Sequence, residues 1–384
     1  MTFLLLLKKL KGTILMKIIC KKADILNSVN ISLKAVPTKT TMPILECIII
    51  QATTDTIKFI TNDMELGIET IVNGKIVEKG SIAIDAKIFS DIIRKLRDND
   101  VTISTDANNM ITIRCEKSVF TIAGRNDEEF PALPKIEKKE ALILSQFSLK
   151  EIIHQTVFSI SDNESNKVMT GELFEINGHE FKVVSLDGYR ISIRKISLKH
   201  EYSPTKVIVP GKTLNDISKI LSGEMESEIR IYFTEKHILF EFDNTIVLSR
   251  LIEGEYYKIN QMLSGDYSTK FTINRKEFLE CIDRATLLIK ESEKKPIILG
   301  ISDDNLELKA ITKLGSMNEQ IDIAKEGKNI QIGFNPKYLI DALRVIEDEE
   351  VTIYMTNPKA PCFIKNSEEN YIYLIVPVNF NITN

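Results

Sequence analysis

Apolar side chains along the chain follow two alternating rhythms. In six windows they recur at i, i+3, i+4 and i+7, the spacing that lines one face of a helix. Three of these windows are 22–34 (Ile25, Leu26, Val29, Leu33), 148–160 (Ile152, Ile153, Val157) and 274–290 (Phe278, Leu279, Ile282, Ala285). The others are 85–97 (Ile88, Ile92, Leu96), 210–222 (Leu214, Ile217, Leu221) and 335–346 (Leu339, Leu343, Ile346). Between them apolar and polar residues alternate with period two, as in 57–61, 66–71, 101–104, 229–232 and 351–354. That alternation predicts half-buried strands. Asn73-Gly74 and Asn177-Gly178 predict tight hairpins, because both residue types tolerate positive φ.

The pattern is written three times. Ile82–Asp85, Val207–Pro210 and Ile330–Asn335 each lead into a helical window, and Asp91, Asp216 and Asp341 each follow their anchors (85, 210, 335) by six residues. Both anchor spacings are 125 residues, too long for a solenoid unit and right for a whole domain. One short insertion breaks the regularity: Ile103 and Ile353 lie 18 residues after their anchors, Ile231 lies 21 after. The fold class expected is α+β, with three tandem similar domains and two helices packed on antiparallel sheet in each. Their bounds are 16–135, 144–262 and 268–384, with linkers at 130–140 and 257–267. Residues 1–15 carry a short apolar run followed by Lys8, Lys9 and Lys11, the reverse of a signal peptide, and are expected to be an extension outside the fold.

Composition narrows the function. The net charge of −4 excludes nucleic-acid affinity from bulk charge. The helical windows nevertheless hold fifteen Lys and Arg against nine Asp and Glu, so +6 sits on helices and −10 elsewhere. Such segregation suits one phosphate-facing surface, although Lys and Arg are also ordinary helix formers. Five scattered cysteines without a CxxC pair suit a reducing cytoplasm, and four histidines lack ligand spacing, so neither a metal nor a cofactor is expected. Gly211-Lys212-Thr213 follows a strand like the end of a P-loop, but Lys206 stands where that motif needs glycine. No GxSxG or GxGxxG occurs. An enzyme is therefore not expected.

Five segments in order carry a resemblance: Met42-Pro43-Ile44-Leu45, Glu129-Phe130-Pro131, Leu186-Asp187-Gly188-Tyr189-Arg190-Ile191-Ser192, Ile332-Gly333-Phe334-Asn335 and Leu374-Ile375-Val376-Pro377-Val378. The chain resembles the bacterial DNA sliding-clamp family, the beta subunits of DNA polymerase III. The resemblance implies half of a head-to-tail homodimeric ring, with helices lining a hole around double-stranded DNA and contacts independent of sequence. DNA-facing candidates are Lys39, Lys87, Arg94, Lys95, Lys150, Lys212, Lys219, Arg275 and Lys337. It also implies a hydrophobic peptide-binding pocket for the replicative DNA polymerase, the clamp loader and other clamp-binding-motif proteins. Its wall would hold Met169, Leu186, Gly188, Tyr189, Arg190 and Ile191, then Tyr257 and Met262, then Pro361, Leu374, Val376, Pro377 and Val378. The implied dimer interface uses Ile92, Leu96, Phe120 and Ile122 on one side and Leu287 and Leu288 on the other. Leu186 stands where the family often has Thr, Asn379 where Arg is frequent, and Asn381–Asn384 run past the usual end. On residues alone two other classes stay open: a multidomain scaffold that does not encircle DNA, and a hydrolase with an unrecognised site.

Overall fold

The computed structural model describes residues 15–263, 267–289 and 295–380. The expected extension (1–15, save Leu15) and the tail 381–384 lie outside the described residues. The described helices are α1 (Lys22–Ser32), α2 (Ala86–Lys95), α3 (Gln146–Thr156), α4 (Gly211–Ile220), α5 (Asn260–Leu263), α6 (Arg275–Thr286) and α7 (Pro336–Val345). Six of them fall in the six periodic windows, and α5 is a single turn inside the second linker. The repeated anchor ends a strand and starts a helix. Asp85 accepts a hydrogen bond from the Ile88 amide (2.7 Å), and Asn335 accepts one from the Lys337 amide (3.1 Å). Both supply the side-chain oxygen that the open first turn of a helix needs. The helices end earlier than periodicity suggests, because α1 and α3 finish as 3-10 turns at Leu33–Ala35 and Val157–Ser159.

The chain divides into two compact units. Unit 1 comprises 1–147 and 219–251. It holds a five-stranded sheet in the order 75–78, 16–21, 100–105, 110–115, 118–123. It also holds an eight-stranded sheet in the order 142–145, 228–233, 237–242, 245–250, 66–72, 57–62, 47–52, 80–85. All pairings are antiparallel. Ile18 and Ile103 from the first sheet and Ile50 and Phe59 from the second pack with Ile25 and Val29 of α1 and Phe89 and Ile93 of α2. The two helices thus bury apolar faces between two sheets, where periodicity alone suggested one face of one sheet; on α2 that face is Phe89, Ile92 and Ile93, and Ile88 of the expected stripe is exposed. The first linker is irregular from residue 126 to 140, and its Leu133 and Ile136 pack on Tyr232, Leu239 and Leu248.

Unit 2 comprises 148–218 and 252–384. Its seven-stranded sheet runs 171–186, 190–210, 371–375, 362–365, 350–355, 269–274, 324–327, and its four-stranded sheet 315–322, 305–312, 297–302, 330–334. These pairings are antiparallel too. The core gathers Phe271, Leu299, Leu308 and Phe334 from strands, Phe278 and Ile282 from α6, and Leu339 and Leu343 from α7. The middle repeat therefore contributes one set of strands to each unit.

Neither Asn-Gly pair makes the hairpin its dipeptide predicts. The strand before Asn73 (66–72) and the strand after Gly74 (75–78) belong to different sheets, so the pair is a crossing point. A Cβ on Gly74 would lie 2.3 Å from Cys20 Sγ, which is why glycine stands there. Gly178 (φ +59°) sits inside the long strand 171–186, where the register shifts on either side of it. It is a bulge that bends the strand, a second use of left-handed glycine. In both cases tertiary packing outvotes the local turn signal.

Phe89 is fully buried and meets Phe59 edge to face, with ring centroids 5.9 Å apart. Phe89→Ala is expected to destabilise unit 1 by about 3–5 kcal/mol. A urea transition followed by circular dichroism should move to a lower midpoint; an unmoved midpoint would contradict this core.

Candidate functional site

The pocket predicted from the resemblance begins with a turn. Asp187 Oδ1 accepts hydrogen bonds from the amides of Tyr189 (2.9 Å) and Arg190 (3.1 Å), while Gly188 takes φ +93°. The same turn joins strands 57–62 and 66–72 of unit 1. There Asp63 Oδ1 accepts from the Glu65 (3.0 Å) and Leu66 (2.6 Å) amides, and Met64 takes the left-handed place at φ +77°. Short Asp side chains close such turns, and glycine occupies the left-handed region at least cost. The turn leaves Tyr189 61% exposed.

Strand register builds the floor. Leu186 lies opposite Ile191, Ile191 opposite Leu374, and Leu374 opposite Phe363. Directly opposed residues share a sheet face, so four strand ends lay one apolar row. Leu186, Ile191 and Leu374 are buried with Leu173, Ile208, Tyr256 and Ile259, and Met169 and Val376 pack against them half-buried. Tyr256 anchors the second linker from below by donating to the Val184 carbonyl at 3.1 Å. Around the floor Met262 is 55%, Tyr257 42% and Val378 36% exposed, so large apolar groups face solvent. Tyr257 accepts a hydrogen bond from Asn166 Nδ2 at 2.6 Å. Pro361 and Pro377 are half-buried. The Val376 amide donates to the Tyr189 carbonyl (2.8 Å), and the Val378 amide to Gly333 (2.8 Å).

Arg190 departs from the picture of a wall residue open to a partner. It is only 6% exposed. Its Nε donates to Asp187 (2.9 Å), Nη1 to Asp341 (2.6 Å) and Nη2 to the Phe158 carbonyl. Its guanidinium carbon lies 4.6 Å from the Tyr338 ring centre and 5.6 Å from that of Phe158. Burial alone would lower its pKa, but Tyr373, Asp341 and Asp187 outweigh that and raise it, so the cation is fixed. Tyr338 in turn stacks on Tyr189 at 6.3 Å between centroids. Sequence reasoning missed Tyr338, Asp341 and Phe158; only the recurrence of Asp341 in the repeat marked one of them.

Of the DNA-facing candidates, Lys39, Lys87, Arg94, Lys95, Lys212, Lys219 and Lys337 are exposed. Lys150 and Arg275 are half-buried, and Arg275 donates to the carbonyls of Asp348 (2.9 Å) and Leu343 (3.1 Å) at the end of α7. Of the interface candidates, Leu287 is 82% and Phe120 38% exposed. Leu288 is half-buried, Ile92 and Leu96 belong to the core of unit 1, and Ile122 packs against that core. Phe120 lies on strand 118–123, which pairs on one side only among the described residues. Among these residues no cluster of His, Cys, Asp or Glu is arranged to hold a metal, and no helix is long and apolar enough to cross a membrane.

Beside the floor lies a buried acid. Glu172, next to Leu173, is fully buried, and neither carboxyl oxygen has a well-directed hydrogen bond among the described residues. Burial pushes its pKa up from 4.5 to about 8, with the Thr156 hydroxyl opposing the rise. A carboxyl so placed stays protonated and neutral near pH 7.

Three family models match the chain in order. The N-terminal domain of the DNA polymerase III beta subunit matches residues 16–134, its central domain 143–258 and its C-terminal domain 260–379. The beta sliding clamp of Staphylococcus epidermidis is 33% identical over 375 residues, covering 95% of this chain and 99% of that protein. The crystal structure of the Bacillus subtilis DNA polymerase sliding clamp superposes with a TM-score of 0.92 at 33% identity, over 95% of this chain and 100% of that one. A structure from Eubacterium rectale described as a DNA polymerase III beta subunit gives 0.93 at 62% identity, with the same coverage.

Between about pH 5 and 8 the folded chain keeps a proton on Glu172 that the unfolded chain has lost, so this group makes stability fall as pH rises. Glu172→Gln removes that contribution. Its urea midpoint relative to wild type is expected to rise with each step of pH across this window; parallel pH profiles for the two proteins would refute the assignment.

Proposed function

The chain belongs to the DNA polymerase III beta subunit family, and from that premise we propose that it is a processivity factor for replication. Two copies close head to tail into a ring around duplex DNA and tether the replicative polymerase to it. The observation that carries this reading is the match of all three beta-subunit domains, in order, over nearly the whole chain. Its domains are taken as 16–135, 144–262 and 268–384.

The mechanism needs no chemistry at a reacting atom. Exposed lysines and arginines on the helices supply diffuse attraction to phosphates, which fixes no base sequence and permits sliding. Retention comes from topology. Tethering raises the effective concentration of polymerase at the DNA by linking it to a ring that stays on the same duplex. The apolar row of Leu186, Ile191 and Leu374, rimmed by Met169, Tyr189, Met262 and Val376, suits a short peptide with apolar anchors. A polymerase, an ATP-driven clamp loader and other proteins with such a segment would share it, in the cytoplasm. Phe120 and Leu287 supply exposed apolar surface for the seam between two copies. The reading gives the chain no catalytic residue and no cofactor.

Three outcomes test the proposal. After loading, the protein should remain on circular DNA and leave when that DNA is cut; equal retention on both would contradict encirclement. Leu287→Asp should shift the solution mass towards the monomer, and an unchanged dimer mass would remove this residue from the seam. Leu374→Ser should weaken polymerase binding at least tenfold, since it buries a hydroxyl in the floor and removes an apolar anchor. Unchanged binding by this variant would sink the pocket assignment.

A further inference from the structure

We propose that Asp341 is a positioning residue for the peptide pocket: it holds the Arg190 guanidinium, and through it the turn that presents Tyr189. The proposal rests on the pocket reading above and adds to it how the pocket keeps its shape and which partner chemistry it reads.

A cation as buried as Arg190 must be paired. Two carboxylates share it, Asp187 at Nε and Asp341 at Nη1, and the Phe158 carbonyl takes Nη2. The two acids have different duties. Asp187 also closes the turn, accepting from the Tyr189 and Arg190 amides. Asp341 stands on α7, 151 residues along the chain from Arg190, and has no part in the turn itself. It draws the guanidinium beneath the Tyr338 ring, one helical turn earlier on α7, and that ring stacks on Tyr189. The exposed ring of Tyr189 is therefore fixed by its own turn and, through Tyr338 and Arg190, by α7. Without Asp341 the buried cation keeps Asp187 as its one carboxylate, with the Phe158 carbonyl at Nη2, and loads the turn.

A comparison inside the chain supports a dedicated role. The turn of unit 1 has the same Asp closure and the same left-handed second residue, but Leu66 occupies the place of Arg190. Leu66 is buried and offers a carboxylate nothing. The tie to an Arg at the turn thus distinguishes the second turn from the first.

The arrangement also sets specificity. With Nε, Nη1 and Nη2 all engaged and aromatic rings nearby, Arg190 has little charge to offer a ligand. The pocket then selects apolar and aromatic anchors, and an acidic residue in the partner gains nothing from Arg190.

The test uses the full-length protein binding to immobilised replicative polymerase. Asp341→Asn is expected to weaken binding about five- to tenfold, mostly through faster dissociation, with Asp341→Glu closer to wild type. Because Asp341 acts through Arg190, adding Asp341→Asn to Arg190→Met should change affinity no further. The chain contains no tryptophan, so Tyr189→Trp gives a single reporter, whose fluorescence anisotropy should fall when Asp341→Asn is added and stay closer to its starting value with Asp341→Glu. Wild-type affinity for Asp341→Asn alongside a weakened Leu374→Ser would overturn the positioning role and leave the pocket standing. Wild-type affinity for Leu374→Ser would instead overturn the pocket. An equal loss from Asp341→Asn with and without Arg190, or a reporter that stays rigid, would reduce Asp341 to a general structural contact and refute the proposal.

Discussion

Main-chain pairing across repeat boundaries is the constraint on which this structure rests. A strand edge with unpaired N–H and C=O groups is an invitation to aggregate, and each repeat begins with such edges. Unit 1 closes one pair by setting strand 245–250 of the middle repeat against 66–72 of the first, with Val247 opposite Ile68. Buried Thr70 and Thr245 share a hydrogen bond of 2.9 Å across that seam. Unit 2 closes another by setting Arg190–Arg194 against Tyr371–Ile375. Because side chains alternate with period two, slipping either seam by one residue would turn its apolar row outward. The row Leu186–Ile191–Leu374 is thus a consequence of the seam: the pairing that joins the repeats also lays the floor of the pocket. Strands 118–123 and 315–322 keep one edge free among the described residues.

Much of this was legible in the sequence because repetition averages out local ambiguity. A window such as 85–97 could be misread alone, but three windows at equal spacing, each opening on an anchor at 85, 210 or 335, could not. The capping roles of Asp85 and Asn335 explain two of those anchors physically. What stayed hidden depends on separation in sequence or on packing. Arg190 looked like wall because nothing near it in sequence reveals a carboxylate on α7. Asn73-Gly74 looked like a hairpin because a dipeptide does not report that its flanking strands join different sheets. The helical stripe Ile88, Ile92 and Leu96 records which face is apolar and not what covers it: Ile92 and Leu96 are buried in the core of unit 1, while Ile88 is exposed.

Electrostatics follows the same division between what is exposed and what is tied. The chain as a whole is acidic, yet seven of the nine DNA-facing candidates are exposed, six of them on helices α2, α4 and α7. Arg275 and Arg190 are cations of another kind. One donates to carbonyls at the end of α7 and the other to two carboxylates and a carbonyl, so both serve the fold before they can serve a ligand. Counting charge along a sequence treats these groups alike. A charge already surrounded by acceptors contributes little to an outside field, and one in water on a long side chain contributes most of its share.

The two seams start from the same turn and diverge in what lies over the strand that follows. In unit 1 that strand opens with Leu66-Gly67, and the missing side chain of Gly67 leaves room for Leu133: a Cβ there would come within 2.2 Å of Leu133 Cδ2. The first linker therefore lies down on its own sheet, held further along where Lys138 meets Glu241 at 2.6 Å. In unit 2 the corresponding residues are Arg190 and Ile191. Ile191 fills the space that Gly67 leaves open, and the second linker instead anchors through Tyr256 and rises into α5 with Met262 exposed. The first linker covers its seam through Leu133, and the second packs Ile259 and Leu263 against the row while Tyr257 and Met262 remain exposed. The glycine-to-isoleucine difference at matching positions thus changes what lies over each seam: Leu133 of the first linker in one, and Ile259 with Leu263 of the second linker in the other.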